Sequence, residues 1–427
     1  MYTSVRNGPE VPPGTAEPGD AAERPGGKKR LAGVGGTVVA MGMVSFLTDA
    51  SAEMVTAVLP LFLILQIGLT PLQYGVVDGV YQGVTVLVRL AGGYVADRWR
   101  RPKLVCAAGY GLSAVSKLGL LGVGSATSTS LVLAVDRTGK GIRTAPRDAV
   151  IAASTRPGLL GRAFGVHRAL DTAGAMLGPL LAFLVLLAVP GGFHSVFVVS
   201  FCVAVVGVAV LVVFVPDVRW QAPPGAAKVA GRAVAGLLKD RRLVGLTVAA
   251  GLLGLVTVSD GFVYLSLQHR LQVPAEVFPL FLLGTSSVYL VLAIPLGRLA
   301  DRVGRARVFL GGHVGLVLLY LLLLTGAVPA WLACGGALAL LGTYDAATDG
   351  VLSAGAAEIL PPALRSSGLA LVQSALAGGR LLSSLLFGLL WTVTGGQRGG
   401  LAAFTVGLVV VLPIAMRLLR TKARVAA

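Results

Sequence analysis

Acidic residues are scarce in this sequence: 19 Asp and Glu stand beside 36 Lys and Arg in 427 positions, and charged residues of both signs reach only 13%. Soluble globular domains carry about 25% charged residues, so water is not the solvent that shapes this chain. Cysteine is nearly absent. Cys106, Cys202 and Cys334 lie far apart in apolar stretches, which excludes a disulfide framework and the C-x-x-C spacing of a metal or redox site and leaves packing as their role. No H-E-x-x-H or G-x-S-x-G pattern occurs, so nothing points to a membrane enzyme. Lys140 sits between Gly139 and Gly141, but the spacing of a phosphate-binding loop and its Ser or Thr are missing. ATP is therefore not the evident energy source, and no cofactor or metal is indicated.

The net charge of +17 raises the question of nucleic acid. The basic residues, however, gather in short loops, such as Arg98, Arg100, Arg101 and Lys103, and on both tails. Anionic lipid and the positive-inside rule account for that placement, and no nucleic-acid motif accompanies it.

What is abundant is apolar sequence. Hydrophobic residues make up 55% of the chain and recur in runs of the ~20 residues that a membrane-spanning helix needs. Twelve spans are predicted, at approximately 36–66, 72–96, 104–124, 127–153, 161–189, 194–215, 243–269, 276–300, 306–326, 330–357, 365–390 and 399–418. Connections 1–2, 3–4 and 9–10 carry no Lys or Arg, whereas 2–3, 4–5 (Arg156, Arg162) and 8–9 (Arg302, Arg305, Arg307) are basic, as is the C-terminus. The basic side, which an even count of spans gives to both termini, is thus expected to be the cytoplasmic face of the cell membrane. Residues 1–33, rich in Pro, Gly, Ala and charge and lacking the apolar core of a signal peptide, read as a disordered cytosolic tail. Residues 34–215 and 243–420 form two predicted six-helix bundles, joined by a cytosolic linker at 216–242 and followed by a short tail at 421–427.

Internal repetition supports that division. Gly93-Tyr94-Val95-Ala96-Asp97-Arg98 after span 2 recurs as Gly297-Arg298-Leu299-Ala300-Asp301-Arg302 after span 8, an offset of 204 residues. Arg162-Ala163-Phe164-Gly165 has a counterpart in Arg365-Ser366-Ser367-Gly368, an offset of 203. Duplicated halves are a known transporter design, with the substrate site between them near mid-membrane.

On these residues, from about 34 to 420, the sequence resembles the major facilitator superfamily. The signature loop G-x-x-x-D-R-x-G-R-[RK] fits well at Gly297, Asp301, Arg302, Gly304 and Arg305; in the first copy, Gly93, Asp97, Arg98 and Arg101 match but Arg100 replaces the usual glycine. The resemblance implies an all-α fold of two pseudo-symmetric six-helix bundles, with these loops acting as cytoplasmic latches, where carboxylates at helix ends meet arginines and neighbouring helix N-termini. Two stretches look like a particular group of prokaryotic permeases: Ser45 to Met54 in span 1, and Asp136-Arg137-Thr138-Gly139-Lys140-Gly141-Ile142-Arg143-Thr144-Ala145-Pro146-Arg147-Asp148 in span 4. In span 5, Gly174-Ala175-Met176-Leu177-Gly178-Pro179 looks like the G-x-x-x-G-P element of proton-coupled exporters without its following Gly-Gly; the same small residues also serve helix packing.

Ionisable residues at bilayer depth cost about 2.5–3.5 kcal/mol each by insertion scales, so those retained face a partner or a watery cavity. Spans 1 (Asp49, Glu53), 4 (Asp136, Arg137, Lys140, Arg143), 7 (Asp260) and 10 (Asp345, Asp349) hold the charge. They are the spans the resemblance places around the central cavity. Asp49 and Glu53, at i and i+4, share one face, where like charges favour a proton on one of them. Asp136, Lys140, Arg143 and Arg147 form a stripe on span 4, whose last turn Pro146 is expected to disturb. Its inner members are expected to hold an anionic group or neutralise the span 1 carboxylates; Arg143, Arg147 and Asp148 are expected at the cytoplasmic gate. Arg168 and Asp171 open span 5 at i and i+3, either as a structural ion pair or as a proton-handling pair. Asp78 and Arg89 on span 2 are expected to pair with neighbouring helices. Tyr264, four residues after Asp260, and Tyr344 are substrate contacts or packing residues.

The expected function is secondary active transport by a monomer: proton-coupled export of a small molecule, with the lipid bilayer and protons as further partners. An importer or inorganic-ion transporter is the alternative, and a sensor or enzyme a remote one.

Overall fold

The computed structural model describes residues 35–99, 102–156, 159–217, 239–325, 328–360 and 365–419, with backbone alone at 85–87, 89–99 and 365–367. Among these residues there is no strand. A chain in lipid must satisfy its own backbone polar groups, which favours helices. They are α1 (Gly36–Leu61), α2 (Pro71–Trp99), α3 (Pro102–Gly119), α4 (Ala126–Ala153), α5 (Leu160–Ala188), α6 (Phe193–Phe214), α7 (Arg241–Leu255), α8 (Asp260–Leu271), α9 (Pro279–Val303), α10 (Arg305–Leu324), α11 (Ala330–Thr348), α12 (Val351–Ile359), α13 (Arg365–Val393) and α14 (Gln397–Leu419). Among the described residues, nine helical runs are long and apolar enough to cross a membrane. Predicted spans 2, 4 and 10 are not among them: α4 carries the charged stripe, and span 10 is divided.

Two predicted spans are discontinuous. Span 7 breaks between α7 and α8, leaving Val256 to Ser259 outside regular helix. The freed backbone groups are satisfied by neighbours: the Val258 N–H donates to the Tyr320 hydroxyl at 2.7 Å, that hydroxyl donates to the Val256 carbonyl at 3.3 Å, and Ser383 Oγ donates to the Thr257 carbonyl. Irregular backbone at membrane depth persists only where it is satisfied in this way. The break sets Asp260 in the first turn of α8, where the helix dipole favours a carboxylate. Span 10 breaks at Asp349 and Gly350, the latter at φ +74°. Pro146, by contrast, does not end α4, which runs on to Ala153; the expected disturbance of that turn is not a helix break.

In the first half, α1 packs on α5 and α6, and α4 on α2 and α3; in the second, α13 and α14 pack on α7, and α11 on α9 and α10. The halves meet through α2 with α13 and α5 with α9. At the end of the bundle away from the termini this contact is tight. Gly75 and Gly79 of α2 face Ser384 and Leu381 of α13, and Gly388 faces Pro71, with no room for a Cβ at Gly75 or Gly388. Small residues let helix backbones approach in this manner. Tyr74, Phe262 and Phe387 stack edge to face at 4.8 Å between successive ring centroids. Two hydrogen bonds join the halves there: Leu72 N–H to Thr392 Oγ1 at 3.2 Å, and Ser384 Oγ to Asp78 Oδ2 at 2.5 Å. Asp78 thus finds a partner on a neighbouring helix, as expected; the side chain of Arg89 lies outside the described residues.

Candidate transport cavity

A cavity of about 540 Å³ lies between the halves, below the aromatic seal. Both halves line it. The first contributes Tyr81, Gln82, Arg137 and Lys140; the second contributes Asp260, Asp345, Asp349 and Arg380 with an aromatic and hydroxyl set around Tyr264 and His313. A larger space of about 920 Å³ lies between α7, α10, α12 and α14 of the second half alone; the central one is the candidate because the two halves and the intramembrane charges converge on it.

The cavity wall of the second half is built around its two helix breaks. Asp260 opens α8, and Asp349 closes α11, where it accepts a hydrogen bond from the Tyr289 hydroxyl at 3.1 Å. Asp345 sits one turn earlier. Neither Asp260 nor Asp345 is in an ion pair within 4 Å among the described residues, although Arg380 of α13 stands near both. Arg380 donates to the Tyr344 hydroxyl at 3.3 Å, and its Nε has no partner among the described residues. His313 is 1% exposed. Its Nδ1 lies 2.9 Å from the Phe309 carbonyl, which places the proton there and leaves Nε2, an orphan atom, as a free acceptor. The hydroxyls of Tyr264 and Thr285 lie beside one another and have no further partner among the described residues. Tyr344 packs edge to face on His313 at 5.2 Å.

In the first half the predicted residues separate into three groups. Asp136 is not a cavity residue: it is held by Lys117 Nζ at 3.5 Å and Arg137 Nη2 at 3.2 Å, between α3 and α4. Arg137 does reach the cavity, with its guanidinium 3.8 Å from the Tyr81 ring centroid and its Nε unpartnered. Asp49 does not line the cavity either. It pairs with Arg143 Nη2 at 3.2 Å, both being largely buried, and that guanidinium lies 4.1 Å from the Tyr110 ring centroid. Arg143, expected at the gate, is thus the span 4 residue that neutralises span 1. Glu53, one turn on, is in no ion pair among the described residues; Thr56, Lys140 and Arg137 are its polar surroundings. At the terminus-bearing end, Arg147 bridges Asp148 at 3.0 Å and Asp171 at 3.8 Å, and Arg168 pairs with Asp171 at 3.3 Å. Gly174 and Gly178 press against the α1 backbone at Phe46 and Ala50, so that element, which ends at Pro179, serves close packing of α1 on α5.

The second latch copy is a built junction. Gly304, at φ +102°, both ends α9 and begins α10, a turn that a Cβ strains by about 1–3 kcal/mol. Arg305 donates to the Ala354 carbonyl at 2.6 Å and pairs with Glu358 at 2.9 Å and Asp301 at 3.4 Å, tying α9, α10 and α12 together. Gly304→Ala should lower the stability of the purified protein by about 1–3 kcal/mol, read by denaturant titration; an unchanged midpoint would show that the turn relaxes freely. Gly297 and Arg302 occupy the same end of α9. Of the first copy, the side chains of Asp97 and Arg98 and the whole of Arg101 lie outside the described residues, and Gly93 is seen only as helix backbone.

Reading the sequence missed Arg380. Its signal was present, since an arginine inside an apolar span is itself a marker of function.

Two helical halves that close on one another at one end and share a charged cavity at mid-depth define a membrane transporter. The chain belongs to the Major Facilitator Superfamily, whose sequence pattern matches residues 41–287. It is 31% identical over 366 residues, 84% of this chain and 89% of the other, to an uncharacterised MFS-type transporter of Methanocaldococcus jannaschii. A shorter stretch of 145 residues, 34% of this chain and 35% of the relative, is 37% identical to an uncharacterised protein of Mycobacterium tuberculosis. Among solved structures, the nucleoside transporter NupG superposes with a TM-score of 0.77 at 16% identity, covering 90% of this chain and all of NupG. The peptide transporter POT in complex with sulfate gives 0.70 at 15% identity, covering 90% and 95%. These likenesses establish the fold: an all-α bundle of the superfamily type, in a multi-pass membrane transporter rather than an enzyme.

Proposed function

We propose that the protein is a proton-coupled exchanger of the plasma membrane that moves a small organic solute outward, working as a monomer with its termini in the cytoplasm. The basic loops at the terminus-bearing end support that orientation, and the cavity then lies open to the cytoplasm beneath a seal on the outer side. The observation that carries the reading is the pair of cavity carboxylates, Asp260 and Asp345, which no cation among the described residues contacts directly, Arg380 standing near both. A carboxylate that must be ionised to hold a solute's donor group cannot hold a proton as well, so the two displace one another. An inward proton gradient then drives the solute out. Glu53, half-buried beside Lys140 and in no ion pair among the described residues, is a further proton position, whereas Asp49 is paired with Arg143 and shares a hydrogen bond with Asp171.

Inside-out vesicles energised to accumulate protons provide the test, with a panel of antibiotics, dyes, amino acids, sugars and metal ions added in turn. Protein-dependent proton release on adding one organic compound is the expected result. A compound that enters together with protons, or a response confined to metal ions, would overturn the exchange reading.

A further inference from the structure

The charges that line the central cavity are unevenly divided between its walls. On the wall of the first half the lining charges are both positive, Arg137 and Lys140, while the wall of the second half offers Asp260, Asp345 and Asp349 against Arg380. Arg137 is 6% exposed and keeps its Nε unpartnered although Asp136 holds its Nη2. Lys140 is in no ion pair within 4 Å among the described residues. Across the cavity, buried His313 presents Nε2 as an unpartnered acceptor, because its Nδ1 is engaged by the Phe309 carbonyl. The first wall is therefore net positive, and the second, with three carboxylates against Arg380, is net negative.

We infer that the transported solute is a zwitterion, with an anionic oxygen group held by Arg137 and Lys140 and an ammonium group held by Asp260, Asp345 and the His313 Nε2. The inference rests on the transport reading above and names its substrate class. The alternatives each match only one wall. A simple cation suits the acidic wall but faces Arg137 and Lys140; a simple anion suits those two but meets three carboxylates; a neutral solute matches the charge of neither. A volume of about 540 Å³ suits a solute of amino-acid to small-peptide or amino-sugar-acid size. Competition between the ammonium group and a proton for the same two aspartates gives the exchange its chemistry.

The experiment is solute capture without prior choice of ligand. Proteoliposomes carrying the whole chain, and matched liposomes without it, are given a small-molecule extract of cells and an imposed proton gradient, and the solutes accumulated are identified by mass spectrometry. Accumulation of solutes bearing both charges is the expected result. Accumulation only of cations, anions or neutral compounds would overturn the inference and leave the transport reading intact; no protein-dependent accumulation would overturn both. The captured zwitterion then supports a paired test by binding titration. Arg137→Gln should weaken it by about tenfold or more, yet bind its carboxamide derivative as well as the wild type does, and Asp345→Asn should show the same tolerance for the N-acetyl derivative. Equal losses for the parent and both derivatives in each variant would mean a structural role and would sink the assignment.

Discussion

Asp345→Asn, and separately Asp260→Asn, should abolish the proton release that a transported solute triggers. Asn keeps the shape of the side chain and its hydrogen-bonding reach, so α8 and α11 should stay in place, but an amide neither carries a proton nor neutralises a cationic group. Asp260 is exposed to the cavity and Asp345 half-buried, so loss of one charge partner should cost about 1.5–3 kcal/mol, roughly tenfold to 150-fold in solute affinity. The dependence on pH follows with a definite sign. In the wild type, binding should weaken as pH falls, because protons occupy the carboxylates the solute needs; in either variant that dependence should flatten. Asp217→Asn, at an exposed residue outside the cavity and both latch loops, is the control and should leave both quantities unchanged. Full proton release from both cavity variants would remove these aspartates from the coupling mechanism.

The second large effect concerns stability. Arg143→Gln should lower the unfolding free energy by about 1–3 kcal/mol, because it removes the cation in contact with the Asp49 carboxylate, which keeps only its hydrogen bond to Asp171 and the more distant Lys140 and Arg147. Asp49→Asn should cost a comparable amount by stranding the guanidinium, although its stacking on Tyr110 softens the loss. The double variant Asp49→Asn/Arg143→Gln should recover most of the difference, since two neutral amides can hydrogen-bond where two charges met. Denaturant titration of the four proteins reads the coupling directly. Purely additive losses would mean that the two groups do not depend on each other, and the contact at 3.2 Å would then be incidental.

Much of the architecture was legible in the sequence because the bilayer imposes one rule on every span: about 20 apolar residues in helical form. The placement of charge on spans 1, 4, 7 and 10 pointed to the cavity for the same reason. What the rule does not reach is tertiary choice. Helical spacing puts Lys140 and Arg143 on one stripe, but only packing decides that Arg143 turns to Asp49 while Lys140 turns to the cavity. Asp136 was assigned to the cavity because its depth was right; its direction, toward Lys117 on α3, is set by the neighbouring helix. The break in span 7 left no mark either. Val256-Thr257-Val258-Ser259 contains neither Gly nor Pro, and the interruption is held by Tyr320 and Ser383 from other helices. Gly304 is the opposite case, since the latch pattern itself demanded a residue free to adopt positive φ.

The burden of charge on α4 bears on how the chain is made. A helix with Asp136, Arg137, Lys140 and Arg143 along it would leave the insertion machinery for lipid only at a cost of about 2.5–3.5 kcal/mol for each unpaired charge near its centre. Arg143 and Asp136 have their counter-charges in Asp49 on α1 and Lys117 on α3, and both precede α4 in the sequence. When α4 emerges from the ribosome, the helices that pair two of its four charges have already been made. Chain order thus turns a span that would not enter lipid alone into one that assembles directly onto waiting partners.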